Sequence, residues 1–192
     1  MSETNVLVWS EGTAPDDGPA YPNDINAAVA AHLNEDEQFV ARTASIDDDG
    51  QGVTGEALDW ADAVVWWGHR RHDDVTEATV DRIEEYVHDG GGFVALHSAH
   101  YALPFKRLVG ASGDLGEVHT YEGESEHVAV EAPDHPVADG VAAFEIPQVE
   151  MFGEPFDVPD PETLVFHSTF SEGGEFRSGC AWTRGDGRLF YF

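Results

Sequence analysis

Ten histidines are spread through this chain, and four form two pairs in the same setting: His69 with His72, and His97 with His100. Each pair follows a short apolar run, Ala63-Val64-Val65-Trp66-Trp67 in one case and Phe93-Val94-Ala95-Leu96 in the other. Neutral imidazole transfers protons near neutral pH and is a good ligand for zinc and similar divalent ions. Two imidazoles from separate strand ends, opening into one crevice, therefore point to acid–base chemistry with His69 and His97 as candidate ligands of a divalent metal such as zinc. Carboxylates that could join them are Glu117 near His119, and Glu150 and Glu154 in Val149–Phe156. Met151, Phe152 and Phe156 imply that these last two acids are partly buried, which a carboxylate tolerates only when paired or hydrogen-bonded. The catalytic set expected on these grounds is His69, His97 and Glu154. The substrate-contacting set is Glu11, Trp67, His72, Ser98, His100, Lys106 and Glu150.

Blander readings compete with each. A loop histidine is more often solvated than functional, and His32, His88 and His127 are read that way. Glu150 and Glu154 occur in a chain flooded with acid. Of the alternating Trp66 and Trp67, one belongs to the core and the other can stack on a sugar ring. Lys106 either snorkels along its helix or meets a ligand or an ion-pair partner.

The elements that must position these residues can be read in order. Asn5–Ser10 is a strand ending at Glu11-Gly12. Pro15, Gly18 and Pro19 make Thr13–Ala20 a loop. Pro22 suits a helix start, with Ile25, Val29 and Leu33 at helical spacing. Phe39–Ile46 alternates like a strand, and Asp47-Asp48-Asp49-Gly50 is a solvated turn. Thr54 caps a short helix to Trp60. After Ala63–Trp67, Thr76 opens a helix whose inner face is Thr79, Val80, Ile83 and Val87. That helix ends at Asp89-Gly90, and Gly91-Gly92 leads into Phe93–Leu96, apolar enough for a strand buried on both faces. The β-α-β-α-β-α-β order with helix-length crossovers predicts a doubly wound parallel sheet. In such sheets ligands sit beyond the carboxyl ends of the strands, which is where both histidine pairs lie. Further on, Tyr101–Val109 is a short helix, Glu126–Val130 and Leu164–Ser168 are strands, and Phe144–Phe156 is irregular or an edge strand because of its two prolines. Ala181–Arg184 and Arg188–Phe192 form an antiparallel hairpin around Gly185-Asp186-Gly187. The chain halts on an apolar strand, which suggests either an unusual packing of its end or a missing C-terminal segment.

Composition prunes the function classes. The 192 residues carry 38 acids against 9 bases, a net charge of −29. Binding to nucleic acid through phosphates is disfavoured, since no basic patch exists. At molar salt the Debye length falls to about 3 Å and self-repulsion is screened, so the simplest reading is a halophilic cytoplasmic protein; a DNA mimic or cation buffer is the rival. No apolar run approaches a membrane span and no signal core is present. The single cysteine, Cys180, forbids an internal disulfide and reads as a buried strand residue. No Gly-x-Gly-x-x-Gly follows a strand and there is no Walker loop, so no nucleotide cofactor is expected. Ser98 lacks the Gly-x-Ser-x-Gly elbow of serine hydrolases. The expected partner is a small-molecule sugar, with no nucleic acid or membrane, and with a homodimer through the terminal hairpin.

Six segments in order resemble the ThuA-like family, named for trehalose utilisation: Val65–Asp73, Gly92–His100, Phe105–Gly110, Asp134–Pro136, Glu150–Phe156 and Phe176–Cys180. The resemblance implies one domain over 1–192, a flavodoxin-like three-layer α/β/α fold with a mainly parallel central sheet and a C-terminal antiparallel hairpin, related to class I glutamine amidotransferases. Those enzymes carry a nucleophilic cysteine at the strand-to-helix elbow, and Leu96-His97-Ser98-Ala99 has none, so glutaminase activity is not expected. The resemblance also implies disaccharide catabolism, beside dehydrogenases that yield keto-sugars. Family members continue beyond Phe190-Tyr191-Phe192 with a loop bearing His, Glu and Tyr, so part of the site is expected to be missing. With the acidic composition, a halophilic archaeal source is expected. The function implied is isomerisation, epimerisation or elimination of a sugar or keto-sugar by clustered histidines with metal assistance; the alternative is a noncatalytic sugar-binding or regulatory module on an amidotransferase-like scaffold.

Overall fold

The computed structural model describes residues 3–14 and 20–192. Most of the loop expected over Thr13–Ala20 lies outside the described residues. The chain divides into two compact units, one of residues 1–108 and 183–189, the other of 109–182 and 190–192.

The first unit is α/β. Its strands are β1 (Thr4–Ser10), β2 (Phe39–Ser45), β3 (Ala63–Trp67) and β4 (Gly92–Leu96), all parallel, in the order β2-β1-β3-β4. Helices α1 (Asp24–Leu33), α2 (Gly55–Trp60) and α3 (Glu77–His88) supply the crossovers. Both expected caps are made: Thr54 accepts the Ala57 N–H and Thr76 that of Thr79. Helix α3 buries Thr79, Val80, Ile83 and Val87, the face its spacing predicts. Helix α1 differs from expectation, burying Asn26 and Ala30 more deeply than Ile25, Val29 and Leu33. The Asn26 amide bonds the Ala44 carbonyl, so a polar side chain takes the interior position.

Strands β3 and β4 alternate between buried and half-buried residues rather than being sealed on both faces. Trp66, Val64, Phe93 and Ala95 form the closed side, and Val65 packs with Val6, Val8 and Ala30 on the other. On the closed side Trp9 stacks on Trp66 at 3.6 Å. The glycines ahead of β4 have local causes. Gly90 has φ +115°, a region that side chains avoid, and a Cβ on Gly91 would collide with the Tyr86 ring. The tip of the predicted hairpin docks on the same corner, where Asp186 N–H donates to the His88 carbonyl.

The second unit is built from antiparallel strands. Strands β6 (Glu126–Val130), β7 (Phe144–Ile146), β9 (Thr163–Phe170) and β10 (Glu175–Arg184) pair in the order β10-β9-β6-β7, while β5 (Leu115–His119) pairs with β8 (Met151–Phe156). Helix α4 (Leu103–Val109) leads into it, and β11 (Gly187–Tyr191) closes the hairpin with β10. The core gathers Val128, Ala138, Val165 and Phe166, with Phe190 and Phe192 packed against it. The stretch expected to be irregular or an edge strand, Phe144–Phe156, holds the edge strand β7 and also β8, while β5 was not expected at all. Cys180 is buried on β10 as read, and burial pushes its thiol up to about 12.

Candidate functional site

The order β2-β1-β3-β4 reverses direction at β1/β3, the place where open α/β sheets bind ligands. Glu11 stands at the end of β1 on that boundary and is 1% exposed. Its carboxylate accepts the backbone N–H of Arg70 at 2.7 Å and of Arg71 at 2.8 Å, together with the Thr13 hydroxyl at 2.5 Å. Burial works to raise the Glu11 pKa, but the Thr13 hydroxyl and the amides of Arg71, His69 and Arg70 outweigh it, so the net shift is downward. Glu11, expected to touch substrate, thus holds the loop that carries His69. A Cβ on Gly68 in that loop would stand 3.3 Å from the Glu11 carboxylate and 3.4 Å from the His72 ring, so the neighbours would have to give slightly. The Arg71 guanidinium completes the clamp by bonding the Glu11 carbonyl, Asp47 and Asp74.

Within this frame the ends of β3 and β4 bring three polar side chains together. His69 Nδ1 lies 3.2 Å from Ser98 Oγ, and His97 Nδ1 lies 3.5 Å from the same atom. His97 begins the 3-10 turn His97–Tyr101 with φ +50°, a strained setting for a non-glycine residue at the end of a strand. Burial, with a smaller contribution from the nearby His69 ring, pulls the His97 pKa down to about 4. Ser98 is 5% exposed, whereas the His69 ring is open to solvent on its outer side. Trp67 lies nearly parallel to His69, with centroids 6.3 Å apart, and Trp66 is the core member of that pair.

A second group lies in the same unit around Tyr101. The His72 ring meets the Tyr101 ring edge-on at 6.2 Å, and Lys106 Nζ sits 5.3 Å from the Tyr101 ring centre, a cation–π contact. Burial lowers the His72 pKa, with Glu11 pulling the other way, and His72 Nε2 is buried without a hydrogen-bond partner among the described residues. His100 packs its ring on Tyr101 at 3.9 Å and is 1% exposed.

The two glutamates belong to the second unit. Glu154, on β8, accepts Arg177 Nε at 2.8 Å, Arg177 Nη2 at 3.1 Å and the Phe156 N–H at 2.7 Å. Burial would raise its pKa, but the Arg177 guanidinium and these amides prevail and hold it down. Glu150 accepts from the Thr120 hydroxyl at 3.5 Å. Sequence reasoning missed Arg177 as the partner of Glu154, and Arg71 and Asp47 as the loop clamp. Glu117 and His119 lie 3.9 Å apart at an exposed edge.

For metal binding, catalytic zinc sites use three protein ligands. His69 and His97 supply two imidazoles whose Nδ1 atoms both turn to Ser98. Among the described residues no group of three or more His, Cys, Asp or Glu side chains is arranged to hold a metal. The residues do not make a preformed site for the expected ion. Two open depressions in the first unit, of 520 and 420 Å³, lie elsewhere. The larger is lined by Asp62, Tyr86 and Gly91 at the amino ends of β3 and β4, the end of a parallel sheet opposite its ligand crevice. Among the described residues no helix is long and apolar enough to cross a membrane.

Several solved structures share this architecture. A ThuA-like protein of Bacteroides uniformis aligns with TM-score 0.71 and 20% identity, covering 100% of this chain and 81% of its own. A cytoplasmic protein of Salmonella typhimurium gives 0.65 and 12%, covering 98% and 87%. A β-galactosidase of Rahnella gives 0.60 and 15%, covering 99% of this chain but 28% of its own. At these identities the likeness is one of fold. No curated protein matches the sequence. The family described as "ThuA: Trehalose utilisation" matches residues 5–192, nearly the whole length, and the chain belongs to the ThuA family.

Proposed function

We propose that this ThuA-family chain is a carbohydrate-utilisation enzyme that moves a proton at a carbon beside the carbonyl of a sugar or keto-sugar, giving isomerisation, epimerisation or elimination. The observation that carries the reading is the meeting of His69 and His97 on one hydroxyl at the carboxyl ends of adjacent parallel strands. A C–H next to a carbonyl becomes removable when a base is positioned on it and a donor stabilises the developing enolate oxygen. Burial keeps His97 neutral at physiological pH, the form able to accept a proton. Trp67, lying flat beside His69, offers a face for a sugar ring. Glu154 is saturated by Arg177, and we assign it to holding β8 rather than to chemistry.

The finer features of the scaffold belong to the same proposal. The strand order supports a flavodoxin-like sheet related to amidotransferases, and the lack of cysteine at Leu96-His97-Ser98-Ala99 argues against glutaminase activity. The setting we propose is a salt-rich cytoplasm, supported by the charge of −29 and by the fold shared with a cytoplasmic Salmonella protein.

The test is deuterium uptake. Incubated with a panel of keto-sugars in deuterated molar KCl, the protein should label the carbon next to the carbonyl. His69→Ala and His97→Asn should each slow labelling by about 100-fold or more, the range of general acid–base catalysis. No labelling of any sugar, or labelling that persists in both variants, overturns the reading.

A noncatalytic sugar-binding or regulatory module is the second reading, favoured by the likeness to 28% of a β-galactosidase chain. Calorimetry in high salt separates the two: heat of binding with no labelling supports the module.

A further inference from the structure

Lys106 is the only lysine in the chain, and its surroundings set it apart from the arginines. With 38 acids against 9 bases, a cation has carboxylates in excess around it. Arg71 pairs with Asp47 and Asp74, and Arg177 with Glu154. Arg107, the next residue, pairs with Glu77, Asp81 and Glu84. The Lys106 ammonium instead rests 5.3 Å from the centre of the Tyr101 ring, and among the described residues no carboxylate pairs with it. An aromatic face attracts a cation without neutralising it. The side chain is half-buried, so its charge is neither paired nor fully given to water.

Tyr101 also meets the His72 ring, edge-on at 6.2 Å. His72 Nε2 is shut from solvent and has no hydrogen-bond partner among the described residues, an exception to the rule that buried polar atoms are paired. The two cationic-type groups feel each other: Lys106 disfavours a charge on the His72 ring, and His69 acts in the same sense. The acids that act the other way are Glu11 and Asp73. Glu11 already accepts from the Thr13 hydroxyl and from the N–H groups of Arg70 and Arg71, and Asp73 is exposed. A neutral imidazole still donates from Nε2 when its proton sits there. This corner of the first unit thus holds an unpaired ammonium and an unmet ring nitrogen, in a molecule crowded with acceptors.

We propose that the Tyr101 corner is a carboxylate subsite, with Lys106 as its charged contact and His72 Nε2–H as the second donor, so that the sugar handled by this chain is an acidic one, a keto-sugar acid or a uronate. Two donors match the two oxygens of a carboxylate, whereas a phosphate group would bring a third oxygen with no donor to meet it. The electrostatic reach of His69 to His72 puts the subsite beside the group proposed to move the proton. A charged end held there would fix the sugar at a point away from the reacting carbon and orient it. The inference rests on the proposed function for the presence of a sugar in the crevice; binding of the carboxylate does not depend on turnover.

One lysine makes the test direct. The full chain, labelled with ¹³C-lysine in molar KCl, gives a single Cε signal that needs no assignment. It is titrated with glucuronate and ketogluconate, with glucose and fructose as neutral counterparts, and with inorganic phosphate. The two carboxylates should move the signal saturably and raise the pH at which the ammonium titrates, since a bound anion favours the charged form. Glucose and fructose should leave that titration in place. By calorimetry, Lys106→Met should weaken carboxylate binding by about tenfold or more, the size of one charge-assisted hydrogen bond. His72→Phe should weaken it too, and His72→Gln, which keeps a donor, should weaken it less. A lysine signal indifferent to both carboxylates, an equal response to glucose, or phosphate bound as tightly as the sugar acids overturns the subsite. The wild-type titration decides this even if a variant fails to fold. A silent lysine with deuterium entering a neutral keto-sugar removes the acidic substrate and spares the proposed function, while a responsive lysine with no label in any sugar does the reverse.

Discussion

Glu11 and Arg71 are tied to each other twice: the Glu11 carboxylate accepts the Arg71 backbone N–H at 2.8 Å, and the Arg71 guanidinium donates to the Glu11 carbonyl at 3.0 Å. The link closes the loop after β3 onto the end of β1 and fixes where His69 stands. Glu11→Ala removes the carboxylate that accepts the part-buried amides of Arg70 and Arg71, and about 1 kcal/mol should be lost for each hydrogen bond. The expected result is a lowered denaturation midpoint together with a disordered His69 signal by NMR. An unchanged midpoint would show that the loop is held by other means. Because the folded pKa of Glu11 is depressed, its contribution is present above the unfolded value of 4.5 and is lost as pH falls through the folded value.

His97 gives a pH dependence of its own. Its folded pKa of about 4 lies below the usual 6.5, so between these values the unfolded chain binds more protons and stability rises with pH. Stability is complete above about 6.5 and is lost as pH falls towards 4, by about 2 kcal/mol once solvent screening of the half-buried ring is allowed for. His97→Asn suits the site, since asparagine tolerates positive φ, and it should flatten this part of the curve. Urea melts across the range check it, and a slope equal to that of the wild type would contradict the assignment.

Glu154 and Arg177 separate structure from chemistry. Arg177→Ala leaves a half-buried carboxylate facing two amides, and about 2 kcal/mol should be lost. Glu154→Gln should cost stability too, while deuterium labelling by the folded fraction stays within about threefold of wild type. A collapse of labelling without a loss of stability would restore Glu154 to the catalytic group.

Salt dependence follows from the charge. With 38 acids against 9 bases, the folded state repels itself in dilute buffer, and raising the salt from 0.1 M to 1 M shortens the Debye length from about 10 Å to about 3 Å. The melting temperature should climb steeply over that interval. Arg107, which pairs with Glu77, Asp81 and Glu84 on α3, should matter most at the low-salt end. Thermal scans of wild type and Arg107→Ala in stepped KCl would reveal a flat profile if the surface charge is inconsequential.

The parallel half was legible because its signals are local: Thr54 and Thr76 ahead of helical spacing, apolar runs ended by histidine, and glycines at a corner where Tyr86 leaves no room for a Cβ. Strand β5 was invisible since Leu115-Gly116-Glu117-Val118-His119 is largely exposed and offers neither alternation nor apolar density. Strand β8 was masked by Pro155, a residue that reads as a breaker. The candidate site was legible only as far as residue type and strand end allowed. That the Glu11 carboxylate accepts backbone amides, that His100 is buried, and that Asp47 pairs with Arg71 all depend on chain segments that meet from far apart in sequence.

The two indoles shared by β1 and β3 lend the molecule a built-in optical gauge. Trp9 and Trp66 are register partners, 3.6 Å apart and inclined by 13°, and both are sealed from solvent. Chromophores this close couple their electronic transitions, so the intact strand pair should announce itself as an exciton couplet in ultraviolet circular dichroism. Sliding or parting of β1 and β3 would extinguish that couplet whatever the helices do, and Trp9→Phe would abolish it by removing one oscillator. The assembly of the parallel half can therefore be followed by its own light absorption, with no dye attached.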